Sequence, residues 1–154
     1  MDLARPGRRP ESEQGLRLRL RSDEKRVESQ HQKLDEFCRE VYSTLGKEGP
    51  RAAINDFLLY EAAVEAHMTL EEEVYFPALH GLRADLSEKL SELVRDHVEI
   101  RTVLDEIKSH LKANSESQAR LALEALGRFF HDHEVREESL FVRVSSGPVA
   151  ATLA

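Results

Sequence analysis

The chain has 154 residues, one cysteine and a formal net charge of −7. This length predicts one domain, and the lone Cys38 excludes an internal disulfide framework and any site built on paired cysteines. The acidic balance argues against nucleic-acid binding, and no apolar run reaches the roughly 20 residues of a membrane helix. No signal sequence is recognisable, so the expected location is the cytoplasm. Seven histidines beside 29 acidic residues are the unusual feature of the composition.

The first 21 residues are predicted to form a flexible basic arm. They hold six arginines and three acidic residues, and Pro6, Gly7 and Pro10 disfavour regular structure. Leucine and arginine alternate over 16–21 as they would in a strand, but no partner strand is predicted. A second tail is expected over 145–154.

Four helices are predicted between these tails. Ser22 is a suitable N-cap for the first helix, Pro50 suits the first position of the second, and a capping-box pattern begins at Ser115. The expected helices cover about 22–46, 50–77, 83–112 and 115–144.

Each predicted helix carries core residues in alternating steps of three and four. In the second helix the repeat passes through His67, Glu71, Val74 and Ala78. Such a repeat is the packing seam of helical bundles, and short connections join neighbouring helices in opposite directions. The sequence therefore predicts an all-α, antiparallel up-down-up-down four-helix bundle over 22–144.

Six positions of these seams hold histidine or glutamate where apolar residues are expected. They are His31, His67, Glu71, His97, His133 and Glu137. Counting from the predicted turns places the four histidines at nearly one depth, and each glutamate follows a histidine by four residues on the same helix face. A shift of 66 residues superimposes the first three positions on the last three.

Buried carboxylates need a compensating partner, and two carboxylates with four imidazoles can share a pair of metal ions. Nitrogen and oxygen donors without thiolate favour iron or manganese, with zinc less expected. The sequence thus predicts a pseudo-symmetric metal site whose ligands are these six side chains.

The order H…HxxxE…H…HxxxE on four helices resembles the hemerythrin-like (HHE cation-binding) domain. The segments HMTLEEEVYFP at 67–77 and FFHDHEVREE at 129–138 agree, and the resemblance covers about residues 22–144. It implies two iron ions per chain joined by an oxo or hydroxo bridge, with Glu71 and Glu137 as bridging ligands. His31 and His67 would bind one iron, and His97 and His133 would bind the other.

The sequence departs from the oxygen-carrying members at two positions. Arg101 replaces a further histidine ligand, and the second carboxylate is a glutamate four residues after His133 rather than an aspartate five residues after it. These departures disfavour reversible O₂ carriage. They favour O₂, peroxide or nitric-oxide chemistry, as in oxidative stress, or sensing of iron or redox state. Weak peroxidase or oxidase activity and sensing both stay open, and no protein partner is indicated.

Two other functions are considered. A metal-free four-helix interaction module could use the basic arm as a docking tail. Ferritin-like iron oxidation is disfavoured because that fold uses ExxH pairs and more carboxylates.

Several further residues receive weaker predictions. Tyr60 is expected to be a core tyrosine, with contact to the metals as the alternative. His80 is expected at the surface, with a role as a spare ligand as its alternative. Glu72 and Glu138 are assigned to the solvated face or to support of the ligands. Cys38 is assigned to core packing, while His110, His131, Glu73, Glu99, Glu106 and Glu134 are assigned to the surface.

Overall fold

A computed structural model describes residues 12–146, and this part of the chain is helical with no strand. The long helices are α1 (Glu13–Glu48), α2 (Pro50–Leu70), α4 (Ser87–Lys112) and α5 (Glu116–Ser146). A π-helical segment (Glu71–Tyr75) continues α2 into the short α3 (Phe76–Leu82), and a 3₁₀ turn (Ala84–Leu86) precedes α4. The predicted all-α class is confirmed. No helix among residues 12–146 is long and apolar enough to cross a membrane.

The four long helices pack around a shared core. α1 packs mainly against α2 and α5, and α4 packs against the same two helices. The core is divided into two apolar clusters. The first includes Phe57 and Leu111, and the second includes Tyr75 and Phe141. Each long helix passes from one cluster to the other near the histidine that is predicted to be its metal ligand. The polar core positions therefore lie between two apolar layers.

The first helix begins nine residues earlier than predicted. Ser12 is its N-cap, and the Ser12 hydroxyl accepts a hydrogen bond from the amide of Gly15 at 3.0 Å. Leu20 is only 1% exposed. In a helix Leu16 and Leu20 lie on the same face, since they are four residues apart. The predicted arm over 1–21 is therefore wrong from residue 13 onward, and residues 1–11 lie outside the described residues.

The basic side chains of this early turn contact the end of the last helix. Arg17 Nη1 donates to the carbonyl of Val144 at 3.0 Å, and Arg21 Nε donates to the carbonyl of Ser145 at 3.3 Å. These carbonyls belong to the C-terminal turn of α5, where cations are favoured by the helix dipole. Two of the six arginines that suggested a mobile arm, Arg17 and Arg21, instead join α1 to α5. Helix α5 runs through Ser146, and the rest of the predicted tail lies outside the described residues.

The connections between the helices follow the predicted positions. Gly49 separates α1 from α2 with φ of 91°, a backbone conformation that favours glycine. Asn114 has φ of 58° between α4 and α5, and asparagine is among the few other residues that tolerate this region. Both turns are short, so each joins helices that pack together.

The predicted repeat of core residues is wrong after Glu71. Val74 is 48% exposed, whereas Tyr75 and Leu79 are buried. The cause is the π-helical segment, which takes one more residue in its turn than a regular α-helix does. The buried face therefore moves forward by one position, and Ala78 is only partly buried.

Candidate metal centre

The structure brings all six predicted polar positions together in the core. None is more than 6% exposed, and they are His31, His67, Glu71, His97, His133 and Glu137. α1, α2, α4 and α5 each contribute a histidine, while the two glutamates come from the start of the π-helical segment and from α5. The apolar clusters on both sides exclude bulk water from the group.

Glu71 lies between two pairs of histidines. Its Oε2 is 3.2 Å from Nε2 of His67 and 3.9 Å from Nε2 of His31. Its Oε1 is 3.0 Å from Nε2 of His97 and 4.0 Å from Nε2 of His133. One carboxylate thus directs a different oxygen to each histidine pair.

Glu137 also lies between histidines of the two pairs. Its Oε1 is 3.1 Å from Nε2 of His31, and its Oε2 is 3.3 Å from Nε2 of His133. Two overlapping sets of four potential ligands result. One set contains His31 and His67 with both glutamates, and the other contains His97 and His133 with both glutamates. Within each set the potential ligand atoms lie within 4.8 Å of one another.

Each histidine is held by a hydrogen bond from its other ring nitrogen. The Nδ1 atoms of His31, His67, His97 and His133 donate to Glu138 at 2.9 Å, Gln30 at 2.8 Å, Glu72 at 2.8 Å and Asp96 at 2.8 Å, respectively. These acceptors hold a proton on each Nδ1, so an ion that displaced any proton on Nε2 would find the lone pair of that atom directed at the centre of the group.

Two of these acceptors are themselves paired with arginine. Arg101 Nη2 donates to Glu72 at 3.1 Å, and Arg136 Nη2 donates to Asp96 at 2.6 Å. Glu72 and Glu138 were predicted either to lie on the solvated face or to support the ligands. Their hydrogen bonds to His97 and His31 favour the second alternative. Gln30 and Asp96 were missed, although the same 66-residue shift relates them and each directly precedes a core histidine.

The charges of this buried group depend on one another. Burial disfavours the imidazolium of His31, but the nearby carboxylates of Glu137 and Glu71 outweigh it and raise its pKa to about 11. The same balance raises the pKa of His133 to about 10. Burial opposes ionisation of Glu71, yet its contacts, first with Glu137 and then with the histidines, hold its pKa well below the usual range. Burial and repulsion from Glu71 raise the pKa of Glu137.

Several buried ligand atoms have no hydrogen-bond partner among the described residues. They include Glu71 Oε2, His133 Nε2 and both carboxylate oxygens of Glu137. Buried polar atoms are rarely left in this state, and a bound cation satisfies carboxylate and imidazole lone pairs together. The donor set therefore fits metal ions held by nitrogen and oxygen.

Glu134 is buried rather than exposed, so its predicted place at the surface is wrong. It is 3% exposed, and its Oε2 lies 3.7 Å from Nδ1 of His31. Burial, opposed by His31 and reinforced by Asp35, raises the pKa of Glu134 to about 9. The 66-residue shift relates Glu134 to Met68, another buried residue directly after a core histidine. That shift was the signal that could have identified it.

The remaining candidates lie outside the six-residue group. Tyr60 is a buried core residue beside the Cys38 thiol, and burial raises the pKa of its hydroxyl well above the usual value. Cys38 packs against the first apolar cluster while remaining partly exposed. His80 and His131 are exposed, and His110 is partly exposed.

A helical bundle whose core holds two overlapping sets of histidine and glutamate is typical of proteins that bind metal ions. The family model for the hemerythrin HHE cation-binding domain matches residues 23–144, and the chain belongs to this family. Comparisons with curated proteins and with solved structures found no match.

Proposed function

We propose that the protein holds two iron ions and acts in O₂, peroxide or nitric-oxide chemistry, or in sensing of iron or redox state. The observation that carries this proposal is the position of Glu71 and Glu137. Each carboxylate directs one oxygen to a histidine of one set and the other oxygen to a histidine of the second set. This arrangement suits carboxylates that bridge two cations.

The proposed ligand assignment follows from the two sets. His31 and His67 would hold one ion, His97 and His133 would hold the other, and both glutamates would bridge. Bound iron supplies one-electron chemistry and coordination positions for a small ligand. The hydrogen bonds at Nδ1 keep the four rings oriented before any ion binds, which reduces the reorganisation that binding requires.

Arg101 supports a role other than reversible O₂ carriage. It stands where the oxygen carriers have a further histidine, and its guanidinium pairs with Glu65 at 3.0 Å and with Glu72 at 3.1 Å. A guanidinium held by two carboxylates cannot serve as a metal ligand. Four histidines therefore serve two ions, which leaves more room for exogenous ligands than a five-histidine centre does.

We also propose that the bundle is antiparallel. Residues that ascend along α1 contact residues that descend along α5, which supports this arrangement. Arg17 contacts Val144, His31 contacts Glu138 and Tyr42 contacts Glu124.

The deciding experiment is elemental analysis of protein purified in air, with absorption spectra before and after addition of peroxide or nitric oxide. We expect two irons per chain and near-ultraviolet bands that change on addition of the ligand. A colourless, metal-free protein whose melting temperature is unchanged by Fe(II) under anaerobic conditions would favour the interaction module instead.

The choice between enzyme and sensor needs a second measurement. Peroxide consumption should be compared among the wild type, His133→Ala and His131→Ala. His131 is exposed and two residues from His133, so its variant controls for the loss of an imidazole on the same helix. A loss of turnover confined to His133→Ala would indicate catalysis at the centre, whereas equal rates in all three proteins would exclude it.

A further inference from the structure

A third potential ligand set lies on the outer side of His31. It comprises Nδ1 of His31 with the carboxylates of Glu134 and Glu138, whose ligand atoms lie within 4.8 Å of one another. Nδ1 is 2.9 Å from Oε2 of Glu138 and 3.7 Å from Oε2 of Glu134. The other nitrogen of the same ring is 3.1 Å from Glu137 in the buried centre. His31 therefore belongs to both the outer set and a buried set, through different nitrogens of its ring.

The two carboxylates of this outer set differ in burial. The Glu138 side chain is 33% exposed and reaches solvent. Glu134 is nine-tenths or more buried, and its Oε1 has no hydrogen-bond partner among the described residues. The remaining potential ligand sets of the described chain are entirely buried. The carboxylate oxygens of Glu138 and Glu134 and the ring nitrogens of His31 thus form a series of potential metal ligands from the surface to the buried centre.

The charge around this set differs from that around the other histidines. The acceptors beside His97 and His133 are covered by Arg101 and Arg136. The acceptor beside His67 is the neutral Gln30. Over residues 12–146, by contrast, no lysine or arginine forms an ion pair with Glu134 or Glu138.

The internal repeat shows that this difference is specific to the surroundings of His31 and is absent around its counterpart His97. The 66-residue shift relates Glu138 to Glu72, but it relates Glu134 to Met68 and Asp35 to Arg101. The surroundings of His97 thus have a thioether and a guanidinium, Met68 and Arg101, where the surroundings of His31 have two carboxylates, Glu134 and Asp35. Within residues 12–146, a cation that approaches the buried centre therefore meets two carboxylates without a lysine or arginine partner beside His31, and it meets the guanidinium of Arg101 beside His97.

We propose that His31, Glu134 and Glu138 form an outer cation site through which a divalent metal ion reaches the buried centre, with His31 releasing its Nδ1 proton to solvent as the ion binds. The proposal rests on the proposed function, since the buried centre is the destination of the ion. Glu138 would capture the hydrated ion at the surface, and Glu134 would replace water ligands as the ion passes His31. Carboxylate and imidazole donors suit divalent iron, manganese and cobalt.

The test is the rate at which the metal-free full-length chain takes up Co(II), followed by its visible absorption. Glu134→Met replaces the outer carboxylate with the residue found in the other half of the repeat. We expect roughly tenfold slower uptake in this variant, with the same final cobalt content as the wild type. The wild-type rate should also fall with added salt, because the attraction is electrostatic.

Two further variants separate the capture of ions from the orientation of the rings. Glu138→Gln and Glu72→Gln each weaken the acceptor of one histidine, but only Glu138 belongs to the outer set. We expect Glu138→Gln to slow uptake severalfold more than Glu72→Gln. Equal slowing would overturn the proposal, as would a wild-type uptake rate in Glu134→Met.

The remaining outcomes also decide the matter. Circular dichroism checks the folding of each variant, and Glu134→Gln, with the same expected slowing, replaces Glu134→Met if that variant does not fold. Unchanged final cobalt content with unchanged uptake rates would refute the outer site alone. A wild type that binds neither cobalt nor iron would refute the proposed function itself.

Discussion

The two halves of the molecule are alike around the buried centre and differ outside it. In both halves a histidine precedes an HxxxE pair by 36 residues, and the acceptors of the Nδ1 atoms follow the same repeat. Glu72 matches Glu138 in this respect, and Gln30 matches Asp96. The orientation of the histidine rings is therefore a property of the repeat.

The halves diverge at the next residues out from the centre. Met68 is matched by Glu134, and the π-helical turn after Glu71 is matched by regular α-helix after Glu137. The side chains that face the centre are therefore alike in the two halves. The helix geometry and the charges around them differ between the halves without disturbing the centre. Variants that remove or exchange these features test the comparison.

The largest effect is expected from Glu71→Ala. Glu71 belongs to the first half, but its carboxylate lies beside histidines of both halves, including His67 at 3.2 Å and His97 at 3.0 Å. The variant should lose at least one metal ion per chain, measured by elemental analysis. Glu73→Ala, at an exposed position of the same segment, should keep the full metal content. Full occupancy in Glu71→Ala would contradict a bridging role.

A second prediction concerns the extra residue of the π-helical segment. Deletion of the exposed Val74 should turn this segment into regular α-helix while Tyr75 and Leu79 remain on the core side. We expect the free energy of unfolding of the metal-free protein to stay within about 1 kcal/mol of the wild type.

The matched control is deletion of Ser139, which is exposed on α5 close to the equivalent level. Since α5 has no π-helical turn there, this deletion should move Leu140 and Val144 to the exposed helical positions of Ser139 and Arg143. The loss of their burial should cost several kcal/mol, on the order of 2 kcal/mol for each side chain. Urea denaturation measures both variants, and equal destabilisation would show that the extra residue is not what separates the halves.

The smallest effect is expected at the acceptors of the Nδ1 hydrogen bonds. Asp96→Asn removes the charge that holds His133, so metal affinity should fall by roughly 10- to 100-fold. Gln30→Ala at the matching position should lower affinity less, because Gln30 is a neutral acceptor. Competition with a chelator measures both affinities. A larger loss in Gln30→Ala would show that the repeat does not set the strength of these contacts.

The helices and the six polar core positions could be predicted because a repeat of three and four residues constrains many side chains at once. Ser22 and Ser12 are both acceptable N-caps, so the local pattern did not fix the start of α1. After Glu71 the residues Val74, Tyr75 and Phe76 are all apolar, and either helical register would bury some of them. A single inserted residue leaves no signal in such a stretch.

The acceptors of the histidines were harder to predict for a different reason. Asp96 and Gln30 are ordinary polar residues on helices rich in them, and only their contacts across helices distinguish them. Glu134 was assigned to the surface because buried carboxylates are rare. Comparing the residues that follow His67 and His133 would have shown that this position is buried in both halves.

The contacts between α1 and α5 also bear on the order of folding. Arg17 and Val144 are 127 residues apart, and His31 and Glu138 are 107 residues apart, whereas Thr44 and Asp56 across the first turn are separated by 12. Closing a long loop costs more entropy, so the helical hairpins should form before α1 meets α5. The centre takes side chains from both hairpins and is complete only after that step. Bound metal would then slow unfolding without speeding folding.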